Sequence, residues 1–334
     1  AGAGWVSLCS GRPARLDMEY YDGDRLRNVG DLPSMLAARY GGRRALTGPE
    51  RTQSFAELEA RANGVAATLS DHGVGPGDRV GMYVPNTLQF PESYFGIIKA
   101  GGVPVALNLR LAPDTMAYVL SDSGADVLIA ADDLGGDESP TARDLADRAE
   151  VGLTVLPGGE GEAELDYDRA VGAAPGTFET VERGLDDVCL QLYTSGTTGE
   201  PKGVHSTHRN LLATNESFVR SPLPLEPDEA GLCVLPLFHI FGLQVVLTPI
   251  LYAGGSVVLR RKPVPDRLLR TVDDHDLTLL FGVPALYNTM YRAYREDPDA
   301  YDLSSLRYAM CAAAPLSADT RRNVERGWGV RMFE

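Results

Sequence analysis

Residues 192–204 read LYTSGTTGEPKGV, and the rest of the chain is best interpreted outward from this stretch. It follows an apolar run that is typical of a buried strand, where α/β sheets carry their ligand-binding loops. Its glycines allow backbone N–H groups to converge on one point, and Lys202 adds a full positive charge. Further donors are the hydroxyl groups of Thr194, Ser195, Thr197 and Thr198. The stretch therefore predicts a loop that holds an anion, with phosphate as the favoured one.

Two other interpretations of this loop are a surface turn and a Walker-type phosphate loop. A turn rich in small residues seldom places a single lysine directly after a proline and beside a buried strand. The Walker pattern G-x-x-x-x-G-K-[ST] fails because Pro201 stands where its second glycine belongs and Gly203 follows the lysine. A helix should also begin at a Walker lysine, whereas GVHST (203–207) is typical of an extended strand.

The chain on both sides of the loop alternates between helical and strand periodicity. The clearest helix is predicted over 54–73, where Ser54 and Glu57 have capping-box spacing and Gly73 marks the end. Short apolar strands are predicted at 79–84, 103–107, 126–131, 151–156, 188–193, 231–236, 256–259, 277–281, 306–311 and the C-terminal VRMF. Such strands, separated by helices, are typical of parallel sheets covered on both faces. The predicted fold class is α/β, with two doubly wound βα subdomains.

Composition divides the chain into four segments. Residues 1–17 precede the first methionine and are interpreted as a non-native or flexible extension. Residues 18–156 and 188–334 are the two predicted α/β subdomains. Between them, 157–187 contains nine acidic residues against two arginines, with glycine and proline punctuation, which favours an exposed acidic connector.

The formal net charge of −15 predicts an acidic surface that repels nucleic acid and anionic membranes. It favours a salt-rich cytoplasm over the alternative, a codon usage rich in arginine. No run of 18 apolar residues occurs, so no stable membrane insertion is expected. The four scattered cysteines favour a reduced, cytoplasmic protein without a zinc site. His205 and His208 lack a nearby third ligand and are not expected to bind a metal ion.

The motif YTSGTTGEPKGVHSTHRNL (193–211) resembles the phosphate-loop signature of the AMP-forming adenylating enzymes. This superfamily includes acyl-CoA synthetases, aryl-CoA ligases, luciferases and the adenylation domains of peptide synthetases. The match is long and highly specific. Further segments resemble family motifs in the same order: TQSFAELEARANGVAATL (52–69), GIIKAGGVPVALNLRL (96–111), PLFHIFGL (236–243), FGVPALYNTM (281–290) and CAAAPLS (311–317).

The resemblance implies the large N-terminal domain of an adenylating enzyme and a two-step reaction. A carboxylate attacks the α-phosphate of ATP, with Mg²⁺ bridging the phosphates, and the thiol of CoA then displaces AMP. Lys202 and His239 are implied as catalytic residues. The implied nucleotide-binding residues are Thr194, Ser195, Gly196, Thr197, Thr198, Gly199, Lys202, Ala312, Ala313, Ala314 and Pro315. The implied acid-binding residues are His239, Phe241, Gly242 and Val283, and no residue is assigned as a metal ligand.

The segment around His239 restricts the class of acid. Peptide-synthetase domains often carry an Asp here to pair with an ammonium group, but no acidic residue lies between Leu235 and Leu251. We therefore expect a fatty acid as substrate, with an aryl-CoA ligase as the alternative within the family. Alanine replaces the glycine that is common in the family over 312–314, and the added Cβ atoms narrow the space against adenine.

The resemblance also implies that family motifs are missing after Glu334. These are a Tyr-Gly-x-Thr-Glu motif, a ribose-binding Asp and a small C-terminal domain with a catalytic Lys. The 334-residue chain alone is therefore expected to be inactive, and a non-catalytic remnant is the alternative of another class. The expected partners are a carboxylic acid, ATP and CoA, with a homodimer left open.

Overall fold

The computed structural model describes residues 26–131, 134, 140–161, 164–194, 199–221 and 225–334. The predicted extension over 1–17 lies outside these residues. So do four residues of the predicted phosphate loop, namely Ser195, Gly196, Thr197 and Thr198.

The described residues alternate between strands and helices for most of their length. The strands are β1 (Arg44–Thr47), β2 (Thr52–Ser54), β3 (Arg79–Tyr83), β4 (Val103–Ala106), β5 (Ala125–Ala130), β6 (Leu153–Leu156), β7 (Glu164–Asp166), β8 (Val188–Thr194), β9 (Lys202–Thr207), β10 (Ala230–Cys233), β11 (Ser256–Leu259), β12 (Leu279–Gly282), β13 (Tyr308–Cys311) and β14 (Arg331–Phe333). The helices are α1 (Leu32–Tyr40), α2 (Phe55–Asp71), α3 (Gln89–Lys99), α4 (Pro113–Ser123), α5 (Ala142–Ala149), α6 (Tyr167–Ala173), α7 (His208–Val219), α8 (Thr248–Tyr252), α9 (Pro265–Asp274), α10 (Pro284–Glu296) and α11 (Ala318–Trp328). A π-helix at Phe241–Leu247 runs directly into α8. None of the described helices has both the length and the apolar character needed to cross a membrane.

Two sheets of seven strands each organise the described residues. The first sheet has the order β7-β6-β5-β3-β4-β8-β9, and the second sheet has the order β14-β13-β12-β10-β11-β1-β2. Pairing is parallel except at one end of each sheet, where β8 pairs with β9 and β1 with β2 in antiparallel fashion. The predicted α/β class with two parallel-dominated sheets is confirmed.

The sheet to which a strand belongs does not follow from the order of the strands along the chain, and periodicity does not predict it. Strands β8 and β9 lie after residue 187 but extend the first sheet, and β1 and β2 come early in the chain but extend the second. The segment 157–187, which is predicted as an exposed acidic connector, contains edge strand β7 and helix α6. The division into subdomains at 156 and 188 stays a prediction.

Helices α2 and α3 pack against each other at very short range beside the first sheet. A Cβ atom at Gly96 of α3 would lie 2.5 Å from Cβ of Val65 and 2.8 Å from the carbonyl oxygen of Ala62, both on α2. Glycine therefore permits the contact between the helix backbones. The capping box of Ser54 and Glu57 that starts α2 is present as predicted.

We predict that Gly96→Ala lowers the free energy of unfolding by about 1–3 kcal/mol, because the methyl group overlaps the backbone of α2. Gly172→Ala is the matched control, since a Cβ at this helical position meets nothing within 4 Å. The control should leave stability unchanged or raise it by up to about 1 kcal/mol. Urea unfolding measures both variants. Equal stability of Gly96→Ala and the parent chain would contradict the close helix contact.

Candidate active site at the carboxyl ends of the strands

The predicted phosphate loop joins β8 to β9 in an antiparallel hairpin at one end of the first sheet. Thr194 ends β8 and lies opposite Lys202, which begins β9, so the loop leaves and re-enters the sheet at one fixed base. Lys202 is exposed, and Gly199 has a φ of +115°, a region that favours glycine. The extended strand predicted after Lys202 is confirmed, and the side chain of Thr207 caps the helix that follows.

A chain of hydrogen bonds ties the base of this loop to α4. The Tyr193 hydroxyl donates to Oδ2 of Asp122 at 2.6 Å, and the Tyr118 hydroxyl donates to Oδ1 at 3.4 Å. Nε2 of Gln191 donates to the Tyr193 hydroxyl, while its Oε1 lies 3.2 Å from Nε2 of His205 on β9. Burial and the Asp122 carboxylate raise the pKa of Tyr193, so its hydroxyl stays a proton donor. The network joins both strands of the hairpin to helix α4.

The histidines at 205 and 208 face different partners. His205 contacts Gln191, whereas Nδ1 of His208 accepts a hydrogen bond from the backbone amide of Val29 at 3.0 Å. Burial lowers the pKa of His208 to about 4, so its ring is neutral. Among the described residues, no group of three or more His, Cys, Asp and Glu side chains could hold a metal ion.

Three adjacent strands of the second sheet bring the other predicted site residues to one edge. Strands β10, β12 and β13 are parallel neighbours, so their carboxyl ends lie side by side. Strand β10 leads into the segment with His239, β12 leads into Val283, and β13 leads into Ala312–Pro315. The amide of Ala312 donates to the carbonyl of Gly282 at 3.2 Å, which joins the last two segments directly. The sheet thus assembles the predicted acid-binding and adenine-binding segments.

His239 stands just before the π-helix, with an exposed side chain. Its Nδ1 accepts a hydrogen bond from the backbone amide of Phe241 at 3.1 Å, so in the neutral ring the proton lies on Nε2. That N–H belongs to an exposed side chain. The Phe241 side chain is only 6% exposed and belongs to the core. A Cβ at Gly242 would lie 2.3 Å from the carbonyl oxygen of Pro236, so glycine is needed for the turn itself.

The predicted adenine-binding segment contains a strained residue. Ala313 has a φ of +68°, which an L-residue with a Cβ adopts at a cost. Ala314 and Pro315 are exposed, so this face of the segment is open to a ligand. The Glu334 carboxylate accepts a hydrogen bond from the amide of Leu316 at 2.9 Å, which anchors the far end of the segment.

A buried side chain that the sequence did not single out positions the His239 segment. Asn86 follows β3 of the first sheet, and its Nδ2 donates to the carbonyl oxygens of Leu235 at 2.9 Å and Arg260 at 3.3 Å. Its Oδ1 accepts from the amide of Leu237 at 3.0 Å. The amide therefore fastens the end of a first-sheet strand to the ends of β10 and β11. The only sequence signal is a polar residue after a buried strand and a proline, in the stretch YVPN (83–86).

Comparison with known proteins identifies the family to which these segments belong. The model of the family described as AMP-binding enzyme matches residues 35–334. The chain belongs to this family. The assignment confirms the resemblance that rests on the phosphate-loop motif.

Relatives of this chain include CoA ligases. A feruloyl-CoA synthase from Amycolatopsis sp is 39% identical over 299 residues, which are 88% of this chain and 55% of that protein. A benzoate–CoA ligase from Thauera aromatica is 30% identical over 305 residues, with coverages of 90% and 56%. The crystal structure of an anthranilate CoA ligase in complex with anthranoyl-AMP matches with a TM-score of 0.84 at 27% identity, over 92% of this chain and 60% of that one. The chain thus spans little more than half the length of these proteins.

Replacing Asn86 should release the His239 segment from the first sheet. We predict that Asn86→Ala lowers the free energy of unfolding by about 1–3 kcal/mol, because the amide of Leu237 and its neighbouring carbonyls lose their buried partner. Asn323→Ala, at an exposed position of α11, is the control and should change stability little. Urea unfolding monitored by circular dichroism gives both values. A loss no larger than that of the control would show that Asn86 does not fasten the two sheets.

Relief of the backbone strain at Ala313 should raise the free energy of unfolding, whereas the loss of Asn86 should lower it. Ala313→Gly should raise the free energy of unfolding by about 1 kcal/mol, because glycine adopts a positive φ without a Cβ clash. The neighbouring Ala314→Gly has no such strain to relieve and should leave stability unchanged or lower it. Thermal unfolding of the two variants in parallel tests this. If both glycines destabilise equally, the left-handed conformation at 313 is wrong.

Proposed function

We propose that this AMP-binding enzyme is an aryl-CoA ligase. In the proposed reaction, ATP and an aromatic carboxylic acid give an aroyl-adenylate and pyrophosphate, and the aroyl group then passes to the thiol of CoA. The observation that carries the proposal is the pair of relatives named for aromatic acids, feruloyl-CoA synthase at 39% identity and benzoate–CoA ligase at 30%. The proposal concerns the whole protein, because the chain spans little more than half of these relatives.

The relatives favour a different acid from the fatty acid expected from the sequence. Nothing in the loop motif distinguishes the two classes, since every member of the family must hold the same phosphates. The acid segment itself is compatible with a ring: Phe238 is half-buried beside His239, and no acidic residue occurs from Leu235 to Leu251. A half-buried aromatic side chain offers a flat apolar surface for another ring.

The proposed first step needs positioning and charge neutralisation more than it needs a protein nucleophile. A carboxylate oxygen of the acid attacks the α-phosphorus, and the bond from that phosphorus to the bridging oxygen of pyrophosphate breaks. Lys202, Thr194 and Gly199 belong to a loop whose charge and amides suit the departing pyrophosphate. The Nε2–H of His239 is suited to donate to the other carboxylate oxygen and to orient the acid.

The proposed second step transfers the aroyl group without further use of ATP. The thiol of CoA releases its proton to solvent, its sulfur attacks the carbonyl carbon of the aroyl-adenylate, and the bond from that carbon to the phosphate oxygen of AMP breaks. The products are aroyl-CoA and AMP. The exposed segment at Ala313–Pro315 is where we place the adenine of the nucleotide during both steps.

A panel of acids tests the proposed substrate class. The protein expressed from its complete reading frame should release AMP with ferulate, benzoate or anthranilate in the presence of ATP and CoA, and much more slowly with octanoate or palmitate. Preference for the alkyl acids would restore the fatty-acid expectation. Absence of turnover with every acid would favour the non-catalytic remnant instead.

The role of His239 has its own signature in the kinetics. His239→Ala should lower kcat/KM for the aromatic acid about tenfold to a hundredfold, which corresponds to the loss of one hydrogen bond to a charged group. The KM for ATP should change little, because the ring does not belong to the phosphate loop. The exposed His72→Ala serves as the control for removal of an imidazole. If kcat/KM for the acid and kcat/KM for ATP fell by the same factor and the KM for ATP rose as well, a role of His239 in orienting the acid would be contradicted.

A further inference from the structure

An open cavity of about 650 Å³ lies at the same edge of the second sheet as the His239 segment, beside the next two strands, β11 and β1. Its walls come from the turn between β1 and β2 and from the segment that joins β11 to α9. Parallel pairing of β1 with β11 places these two connections side by side. We call it the basic cleft, after the side chains Arg51, Arg260, Arg261, Lys262, Arg267 and His275 that line it.

The charge of the basic cleft is opposite to that of the protein. The whole chain has 46 acidic residues against 31 Lys and Arg, yet the cleft is lined by five of these cations and by a single carboxylate, Glu50. One of the three lysines of the chain, Lys262, lies here. The pKa of His275 is lowered, first by burial and then by the positive charges of Arg260 and Arg44. Asp274 and Asp276 oppose this effect. So many cations around one concave surface favour an anionic ligand.

At the back of the cleft, the side chain of Arg260 is held in place by hydrogen bonds. Nε of Arg260 donates to Oγ1 of Thr271 at 3.0 Å, and Nη1 donates to the carbonyl of Leu259 at 3.1 Å. Its Nη2 lies 3.3 Å from Nε2 of His275. None of these three partners is a carboxylate, and the acidic influence on the guanidinium comes from Asp274, which opposes the lowering of its pKa by burial. Arg51 differs, because it pairs with the buried Glu92 at 2.8 Å.

The helix that begins at the cleft adds a second source of positive potential. Helix α9 has ten residues and starts at Pro265, directly after Val264, which lines the cleft. Valine has no side-chain acceptor for the amides of the first turn, so the amides and dipole of this end add to the charge of Lys262 and Arg267. Asp266 in the first turn is engaged elsewhere, because it accepts hydrogen bonds from Tyr301 and Arg270.

We propose that the basic cleft is a binding site for a phosphate group, separate from the phosphate loop between β8 and β9. Arginine and lysine side chains together with a helix N-terminus are the donors that proteins use for phosphate. The volume suits a small molecule, and the net charge of −15 disfavours a nucleic acid chain. The phosphate can come from free phosphate or pyrophosphate, or from the phosphorylated end of a nucleotide. The proposal does not depend on which acid the enzyme uses.

Titration of the isotope-labelled chain, followed by nuclear magnetic resonance, locates the binding. The probes are inorganic phosphate, pyrophosphate and adenosine 3′,5′-bisphosphate, each at low ionic strength. We expect saturable shifts of the backbone amides at 47–52 and 260–268. Tighter binding of the bisphosphate than of pyrophosphate at these amides would support a nucleotide ligand, and the reverse order would support free pyrophosphate. Shifts limited to 194–203, or none with any probe, would overturn the proposal.

A pair of double variants with the same change in net charge separates the cleft from general electrostatics. Lys262→Glu with Arg267→Glu should weaken binding at the cleft amides about tenfold or more, since two exposed cations are reversed. Arg295→Glu with Arg326→Glu, on exposed positions of α10 and α11, should weaken it far less. Circular dichroism confirms that each variant is folded. Equal weakening by the two pairs would overturn a specific site.

Discussion

The carboxamide of Asn86 makes hydrogen bonds from the end of a first-sheet strand to the connections that follow β10 and β11 of the second sheet. Asn86 is only 6% exposed, so water has little access to its amide group. Backbone groups in the connections that follow β10 and β11 therefore supply its hydrogen bonds. The fold places the ends of several strands near one another, but parallel pairing alone does not set the path of the chain beyond them. This one amide fixes the turn that carries His239 and the start of the connection that carries the basic cleft.

The same edge of the second sheet therefore carries both of the sites that we propose. Toward β13 it presents the exposed Ala313–Pro315 segment and the Nε2–H of His239, which suit a nucleotide and a carboxylate. Toward β1 it presents a concave surface with Lys262 and Arg267. An acidic protein can hold anions at both places because short-range hydrogen bonds and local cations outweigh a screened net charge. The proposal for the first place rests on the resemblance to the family, whereas the proposal for the second rests on the cations and the cavity.

Local periodicity predicted most of the elements, because a buried strand or an amphipathic helix has its signature in consecutive residues. The strand before the phosphate loop and the extended GVHST after it are examples. The pairing partners of each strand could not be predicted from periodicity. Strands β8 and β9, for example, follow the acidic segment 157–187 in the chain but belong to the first sheet. The loop motif identified the family, but Asn86 carries no periodic signal, and the cations of the cleft come together only through the pairing of β1 with β11.

The central claim is that the His239 edge recognises an aromatic acid joined to AMP. A stable sulfamoyl analogue of feruloyl-adenylate, titrated into the protein by calorimetry beside the octanoyl analogue, tests it directly. The two ligands share the adenosine and the sulfamoyl link, so the difference in Kd isolates the acid site. The account predicts at least about tenfold tighter binding of the feruloyl analogue, since a buried aromatic ring in a matching site is worth that much. Equal affinities, or tighter binding of the octanoyl analogue, would contradict it.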